Sequence, residues 1–197
     1  MGILETIGES EAGGAMAAAY AADRAALGYV PSHTKVLAMN PEAFEAWKTL
    51  QSAIAGSMGM RRYELVTLAA ALGLGSRHCR LAHGNKALKF FDEQQLLRIA
   101  RDYRDAGLDE AEVAMMDFAV KLSTDSAAMV EADSRRLRDM GFSDREIVDI
   151  TLAAAARNYL SRILQALDVD VDVPPKLGEE MRGALLDPID SREAIAG

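Results

Sequence analysis

The 197-residue sequence contains a single cysteine, Cys79, so no disulfide can form within the chain. Only 6% of the residues are aromatic whereas half are apolar, a composition that favours close-packed helices over a sheet. The longest apolar run, around 65–74, is much shorter than a membrane span. Residues 1–14 carry acids and glycines and lack the pattern of a secretion signal. We therefore expect a cytoplasmic, reducing location.

Basic residues are outnumbered by acidic ones, 22 against 30. The formal net charge is −8 at pH 7, the isoelectric point is about 4.9, and no basic run exceeds a pair such as Arg61-Arg62. These features argue against nucleic acid as a partner, and the lack of a long apolar run argues against a membrane. The length fits one domain with tails. We expect a flexible N-terminal segment at 1–14, a helical domain at 15–168, and a mostly irregular C-terminal tail at 169–197.

Capping residues and glycines predict an all-α chain, with no strand pattern of any length. Helix starts are typical at Asn40-Pro41, at Asp109 with Glu112, and at Ser143 with Glu146. Pro31 predicts extended chain after the first helix. The predicted helices are 15–27, 41–54, 62–72, 76–90, 92–103, 109–122, 131–140 and 143–167, with one helical stretch in the tail at 178–186.

A weak internal repeat supports this architecture. Residues 63–70 align with 145–152, and twelve residues beyond Glu64 and Glu146 come Ser76 and Asn158. Two copies of a helical hairpin would explain the pattern, because such pairs pack against each other and across subunits. The predicted fold is a helical bundle of duplicated helix hairpins.

Cys79 lies among polar residues that together suggest thiol chemistry. In a helix over 76–88, Cys79 and His83 are i and i+4 and share a face. Ser76 then occupies the N-cap, and Cys79 the first turn, where free N–H groups and the helix dipole favour a thiolate. Glu64 lies on the preceding helical run. A thiolate, an imidazole and a carboxylate make a proton relay that can activate sulfur.

This spacing resembles the signature of the alkylhydroperoxidase-D and carboxymuconolactone decarboxylase superfamily: Glu, eleven residues, Cys, two residues, Cys, three residues, His. Here Glu64 is followed at the same intervals by Ser76, Cys79 and His83, so only the first cysteine is changed, to serine. His78 also matches a histidine common in the peroxidase branch. Segments 27–31, 40–43, 106–122 and 157–163 are similar to peroxidase-related members, so the resemblance covers roughly 15–170.

The resemblance implies an alkylhydroperoxidase-like thiol peroxidase, an antioxidant enzyme that reduces organic hydroperoxides and needs no cofactor or metal. Cys79 is then the attacking thiol, with His83 and Glu64 as its base relay, and Ser76 and His78 complete the candidate catalytic set. Ser76 cannot form the usual disulfide, so the cycle needs an external thiol or dithiol or stops at the sulfenic acid. The resemblance also implies a homo-oligomer, either a trimer or a hexamer.

Other interpretations stay open. A carboxymuconolactone-decarboxylase-like lyase or isomerase would use His83 and Glu64 as acid and base, with Arg77 or Arg80 holding a substrate carboxylate. A redox sensor or oligomeric binding protein would oxidise Cys79 once without turnover. The same Cys79, His83 and Glu64 could instead hold zinc with one open position.

Each candidate also has a structural interpretation. Cys79 can be a small buried apolar group, His83 a core histidine, Ser76 an N-cap and Glu64 a first-turn acid. Four further residues either wall a substrate pocket or simply pack in the fold: Tyr29, Pro31, His33 and Trp47.

Overall fold

The computed structural model describes residues 4–196, with side chains described as far as residue 191. Over this range the chain forms ten α-helices and no strand, which confirms the all-α prediction. They are α1 (Gly14–Leu27), α2 (Ser32–Leu37), α3 (Pro41–Met58), α4 (Met60–Gly73), α5 (Arg77–Ala87), α6 (Glu93–Asp102), α7 (Glu110–Thr124), α8 (Glu131–Asp139), α9 (Asp144–Ala166) and α10 (Glu179–Ala196). None of these helices, over the described residues, combines the length and apolar character needed to cross a bilayer.

Helix α4 is the centre of the bundle. Every residue from Tyr63 to Leu72 is buried, because α3, α5, α7 and α9 pack around it. A helix enclosed in this way is apolar on all sides. Glu64 is therefore an exception, since it places a carboxylate inside the core.

Three helix starts follow the predicted capping chemistry, at Asn40, Asp109 and Ser143. The Asn40 side chain accepts a hydrogen bond from the backbone N–H of Ala43 at 3.1 Å. Complete capping boxes open α7 at Asp109 and α9 at Ser143. In each box the two side chains accept hydrogen bonds from backbone N–H groups that the first helical turn leaves without partners.

Helix α2 was not predicted. Pro31 does not lead into extended chain but stands as the N-cap residue, where its fixed φ and missing N–H cost nothing. Asp172 supplies the cap, accepting hydrogen bonds from the backbone N–H and hydroxyl of Ser32 at 2.7 and 2.9 Å. A residue 140 positions away thus opens this helix, and no local pattern indicates it.

The predicted irregular tail needs correction, because α10 occupies most of it despite Pro188. Its apolar residues Met181, Ala184, Leu185 and Ile189 recur at helical spacing and are buried against α5 and α6. This packing outweighs the effect of one proline. Residues 1–3 of the predicted flexible segment and residue 197 of the tail lie outside the described residues.

The two halves of the weak repeat differ at one point. The chain turns between α4 and α5 at Gly75, whose φ of 64° lies in the left-handed region that favours glycine. At the corresponding place Asn158 lies inside the continuous helix α9, which has no glycine. Ser76 and Cys79 therefore follow a turn between two helices, whereas their counterparts in the second half lie within one continuous helix.

Candidate thiol site

Three helices bring the candidate residues together in the interior. Glu64 comes from α4, Cys79 and His83 from α5, and Arg157 and Ser161 from the middle of α9. All five side chains are buried, and Cys79 is only 2% exposed. The site is thus built from rigid helices, and solvent barely reaches the sulfur.

Glu64 and His83 form a direct pair. His83 Nδ1 lies 2.6 Å from Glu64 Oε2. Burial and the positive charge of Arg157 lower the pKa of His83 to about 3, so the ring is neutral at pH 7. Nδ1–H then donates to the carboxylate, which leaves Nε2 as a proton acceptor. The structure thus brings together the imidazole and carboxylate of the predicted relay.

Cys79 forms its hydrogen bonds with residues outside the predicted relay. Its sulfur accepts a hydrogen bond from Ser161 Oγ at 3.2 Å and another from Arg157 Nη1 at 3.6 Å. Within the described residues no hydrogen bond links Cys79 to His83. A proton moving between them therefore needs a bridging water or the substrate itself.

Arg157 is a buried cation in contact with the thiol. Its Nη2 donates to the Tyr63 hydroxyl at 3.2 Å, and its guanidinium carbon lies 5.9 Å from the centre of the Trp47 ring. Burial opposes its charge, but its contacts with Cys79 and Tyr63 raise the pKa of Arg157 above the ordinary value. The guanidinium therefore stays charged beside the sulfur.

Sequence reasoning gave no role to Arg157 or Ser161. The sequence does contain an indication that Arg157 is buried, because it falls on the apolar face of α9 in line with Ala153, Leu160 and Leu164. A charged residue at a core position needs a buried partner. What the sequence does not show is that this partner is Cys79, 78 positions away.

Ser76 occupies the predicted N-cap position but does not act as a cap. Its side chain makes no capping hydrogen bond, and its hydroxyl is fully buried without a hydrogen-bond partner. Two other buried polar atoms also lack partners, Glu64 Oε1 and Arg157 Nε. Unsatisfied buried groups are rare in folded proteins, and these three belong to two residues of the sequence motif and to the arginine that donates to Cys79.

The polar residues that flank Cys79 in sequence point elsewhere. His78 Nε2 lies 3.0 Å from the backbone oxygen of Asp170, in the segment that leads to α10. Arg77 pairs with Asp190 at 2.8 Å. Arg80 is buried and donates to the backbone oxygens of Leu185 and Ala100. Arg77 and Arg80 therefore contact the C-terminal helix and its surroundings, and Arg157 is the arginine that contacts the thiol.

An open apolar pocket of about 310 Å³ has Trp47 in its wall, and the guanidinium carbon of Arg157 lies 5.9 Å from the centre of that ring. The rings of Trp47 and Tyr159 line it with their centres 5.3 Å apart. Of the four residues proposed from the sequence as pocket walls, Trp47 is the one that lines this pocket. Its other lining residues are Leu4, Val36, Leu37, Met39, Asn40, Ala43, Phe44 and Leu167.

A metal site is not formed by the candidate residues. Over the described part of the chain, no three His, Cys, Asp or Glu side chains are grouped so that they could hold a metal ion. Cys79, His83 and Glu64 consequently do not meet as a zinc site.

Three solved structures share this architecture. The alkylhydroperoxidase AhpD core of a peroxidase-related protein from Ralstonia eutropha JMP134 matches 93% of this chain and 96% of its own, with 21% identity and a TM-score of 0.77. A peroxidase-related protein from Silicibacter sp. TM1040 matches 78% of this chain and 82% of its own, with 27% identity and a TM-score of 0.71. The debrominase Bmp8, solved with 2,3,4-tribromopyrrole, matches 94% and 97%, with 17% identity and a TM-score of 0.72.

The fold is that of alkylhydroperoxidase-D-like helical proteins, and the chain carries one buried thiol. The likeness to peroxidase-related proteins supports the resemblance to the alkylhydroperoxidase-D superfamily that the sequence motif indicated. At 17% identity, the likeness to the debrominase shows the fold alone. No protein-family model matches the sequence, and neither does any curated protein.

Proposed function

We propose that this chain is a one-cysteine thiol peroxidase that reduces organic hydroperoxides at Cys79. The observation that carries the proposal is the sulfur's environment: a charged guanidinium and a hydroxyl both donate to it, in the same buried site as the Glu64–His83 pair. Cationic donors favour the thiolate, which is the nucleophilic form of cysteine. The likeness to peroxidase-related proteins points in the same direction.

The proposed first step is attack of the Cys79 thiolate on the peroxide O–O bond. A sulfur–oxygen bond forms as the oxygen–oxygen bond breaks, so Cys79 becomes a sulfenic acid and the hydroperoxide leaves as an alkoxide. Sulfur loses two electrons and the peroxide gains them. The proton released when Cys79 ionises reaches the alkoxide by way of neutral His83, held by Glu64, and a bridging group, which releases an alcohol.

The proposed second step uses a small external thiol. The chain has no other cysteine, and Cys79 as a residue is only 2% exposed, so a protein dithiol has little access to its sulfur. A small thiol attacks the sulfenic sulfur, and a mixed disulfide and water form. A second small thiol then attacks that disulfide, which frees Cys79 and releases the oxidised small thiol.

The test is steady-state consumption of cumene hydroperoxide with glutathione, and in parallel with a thioredoxin-type dithiol protein. We expect turnover with the small thiol, its loss in Cys79→Ser, and a decrease of about 10²-fold or more in His83→Asn. Unchanged turnover in Cys79→Ser would contradict the proposal. Faster turnover with the protein dithiol would contradict the second step alone.

A second candidate function, acid–base lyase or isomerase chemistry, is favoured by the Glu64–His83 pair, because a neutral histidine oriented by a carboxylate is a typical general base. This function lacks the carboxylate-binding arginines predicted for it, because Arg77 and Arg80 contact Asp190 and Leu185 instead. If the chain is such a lyase or isomerase, Cys79→Ser keeps activity while His83→Ala loses it. A redox sensor would instead take up one oxygen on Cys79 and show no turnover with any thiol.

A further inference from the structure

Arg157 has an unusual combination of surroundings for a charged side chain. It is 1% exposed, yet over the described residues it forms no ion pair with a carboxylate. Its hydrogen bonds go to Cys79 Sγ and the Tyr63 hydroxyl, and its Nε has no partner. An isolated buried cation is costly unless an anion lies nearby.

The contacts of Arg157 point to Cys79 as one partner for its charge. Arg157 and Lys86 both interact electrostatically with Cys79, but Lys86 lies at the surface, where water solvates its charge. Glu64 is a nearby carboxylate that also interacts with Arg157, although no hydrogen bond joins the two and Glu64 Oε2 accepts from His83. The group that accepts directly from the buried guanidinium is the Cys79 sulfur, so an ionised sulfur gains a charge-assisted hydrogen bond there.

We propose that Arg157 is a positioning residue that holds Cys79 as a thiolate, with Ser161 as the second donor to the sulfur. The inference deepens the proposed peroxidase function and rests on it for the reaction, although thiolate stabilisation can be measured without any peroxide. The sequence motif of Glu64, Cys79 and His83 does not include Arg157, which reaches the sulfur from α9. The unpartnered Arg157 Nε leaves one buried N–H available to a ligand oxygen.

A purely structural role would predict different behaviour. Arg157 also links α9 to Tyr63 on α4, so its removal lowers stability in either case. A structural link has no reason to change the pH dependence of Cys79 chemistry in protein that is still folded. The pH profile of thiol reactivity therefore separates the two roles.

The experiment measures the rate of Cys79 alkylation by iodoacetamide between pH 5 and pH 10. In Arg157→Met we expect the pH of half-maximal rate to rise by about one unit, a roughly tenfold fall in the ionised fraction at neutral pH. Arg157→Lys should recover part of this shift because it keeps the charge. The matched control is Arg162→Met, an exposed arginine on the same helix that contacts Asn158 and not the thiol.

Circular dichroism establishes that each variant is folded. If Arg157→Met does not fold, Arg157→Gln replaces it, because glutamine keeps an N–H donor without the charge, and the same upward shift is expected. A folded neutral variant with the wild-type profile overturns the inference. So does an equal shift in Arg162→Met, since the effect would not depend on contact with the sulfur.

The same samples separate failure of this inference from failure of the proposed function. If the profile shifts in Arg157→Met but the wild type does not consume hydroperoxide, Arg157 stabilises a thiolate used for other chemistry and the peroxidase proposal fails. If Cys79 consumes hydroperoxide but the profile does not shift, the peroxidase stands and the role of Arg157 is wrong.

Discussion

At the residue scale, the chemistry of Cys79 depends on what surrounds one sulfur atom. Two donors from α9 contact it, and the Glu64–His83 pair lies in the same buried group. The serine at position 76 means that oxidised Cys79 has no partner for a disulfide within the chain. Burial should also keep the sulfurs of two copies apart.

We therefore predict that mild oxidation leaves a sulfenic acid and no covalent dimer. One equivalent of hydroperoxide should add one oxygen to Cys79, and the product should react with dimedone. Intact mass spectrometry and a non-reducing gel provide the measurement. A disulfide-linked dimer as the main product would show that the sulfur is more accessible than the structure indicates.

Turnover should depend on the carboxylate of Glu64. It should not depend on Glu146, which occupies the corresponding position in the internal repeat. Glu64→Gln removes the charge that orients His83 Nδ1–H, so we expect hydroperoxide turnover to fall by about 10²-fold or more. Glu146→Gln is the matched control, because Glu146 only caps Ser143 and pairs with Arg62. That control should lose some thermal stability and keep its turnover. Equal turnover in both variants would remove Glu64 from the mechanism.

Sequence reasoning selected the α4 and α5 residues of the candidate site but not those from α9. Glu64, Cys79 and His83 are recognisable because their spacing within two adjacent helices is fixed. Arg157 and Ser161 come from a helix about 80 positions further on, and helical periodicity cannot say which residues of another helix they meet. The i and i+4 spacing places Cys79 and His83 on one helix face, but a hydrogen bond between them depends on side-chain orientation, which the spacing does not determine.

At the scale of helices, predictions succeeded where the cause is local. The capping boxes at Asp109 and Ser143 depend on residues three apart, and both are present. Helices α2 and α10 depend on distant residues: Asp172 caps the first, and burial against α5 and α6 stabilises the second. Pro31 predicted extended chain, and the tail that contains Pro188 was predicted to be mostly irregular, but tertiary contacts outweighed both expectations.

The contact of α10 with α5 gives a prediction about Gly84. A Cβ on Gly84 would lie 2.4 Å from a methyl carbon of Leu185, which is fully buried. Gly84→Ala should therefore destabilise the protein by about 1–3 kcal/mol, although alanine is the better helix former. Gly56→Ala in α3 is the control, because nothing lies within 4 Å of its Cβ, and it should stabilise by up to about 1 kcal/mol.

Urea unfolding measures both glycine variants. Shortening the opposing side chain should restore part of the loss, so Gly84→Ala combined with Leu185→Ala should cost less than the sum of the single changes. A Gly84→Ala protein as stable as the wild type would show that α10 can move away from α5 at little cost.

At the scale of the whole molecule, two histidines make stability sensitive to acid. Burial lowers the pKa of His33 to about 4, and burial with the charge of Arg157 lowers that of His83 to about 3. In the unfolded chain both titrate near about 6.5. Below that pH the unfolded chain binds more protons than the folded one, so the free energy of unfolding rises with pH.

The stabilisation that comes from keeping these two histidines neutral is fully present above about pH 6.5. It is lost as the pH falls toward their pKa values in the folded protein, and each histidine then lowers the free energy of unfolding by up to about 1.4 kcal/mol per pH unit. Urea unfolding between pH 4 and pH 7 measures this slope. His83→Gln should show a shallower slope than the wild type. Identical slopes would mean that His83 is already charged in the folded protein.

Association into a trimer or hexamer stays a prediction. Helix α9 exposes apolar side chains at Val148, Leu152 and Tyr159, and we expect copies of the chain to meet there. Sedimentation velocity should give a multiple of the 21.2 kDa chain mass, and Leu152→Arg should lower it. A wild-type protein that sediments as a single chain at all concentrations would contradict the expectation.

The most direct test of the central claim is a single turnover without reductant. Wild-type protein is mixed with excess cumene hydroperoxide, and the alcohol formed is measured together with the mass of the protein. The account predicts a rapid release of one alcohol per chain, matched by one oxygen on Cys79 and absent in Cys79→Ser. Equal alcohol release from Cys79→Ser, or no release with Cys79 unmodified, would contradict it.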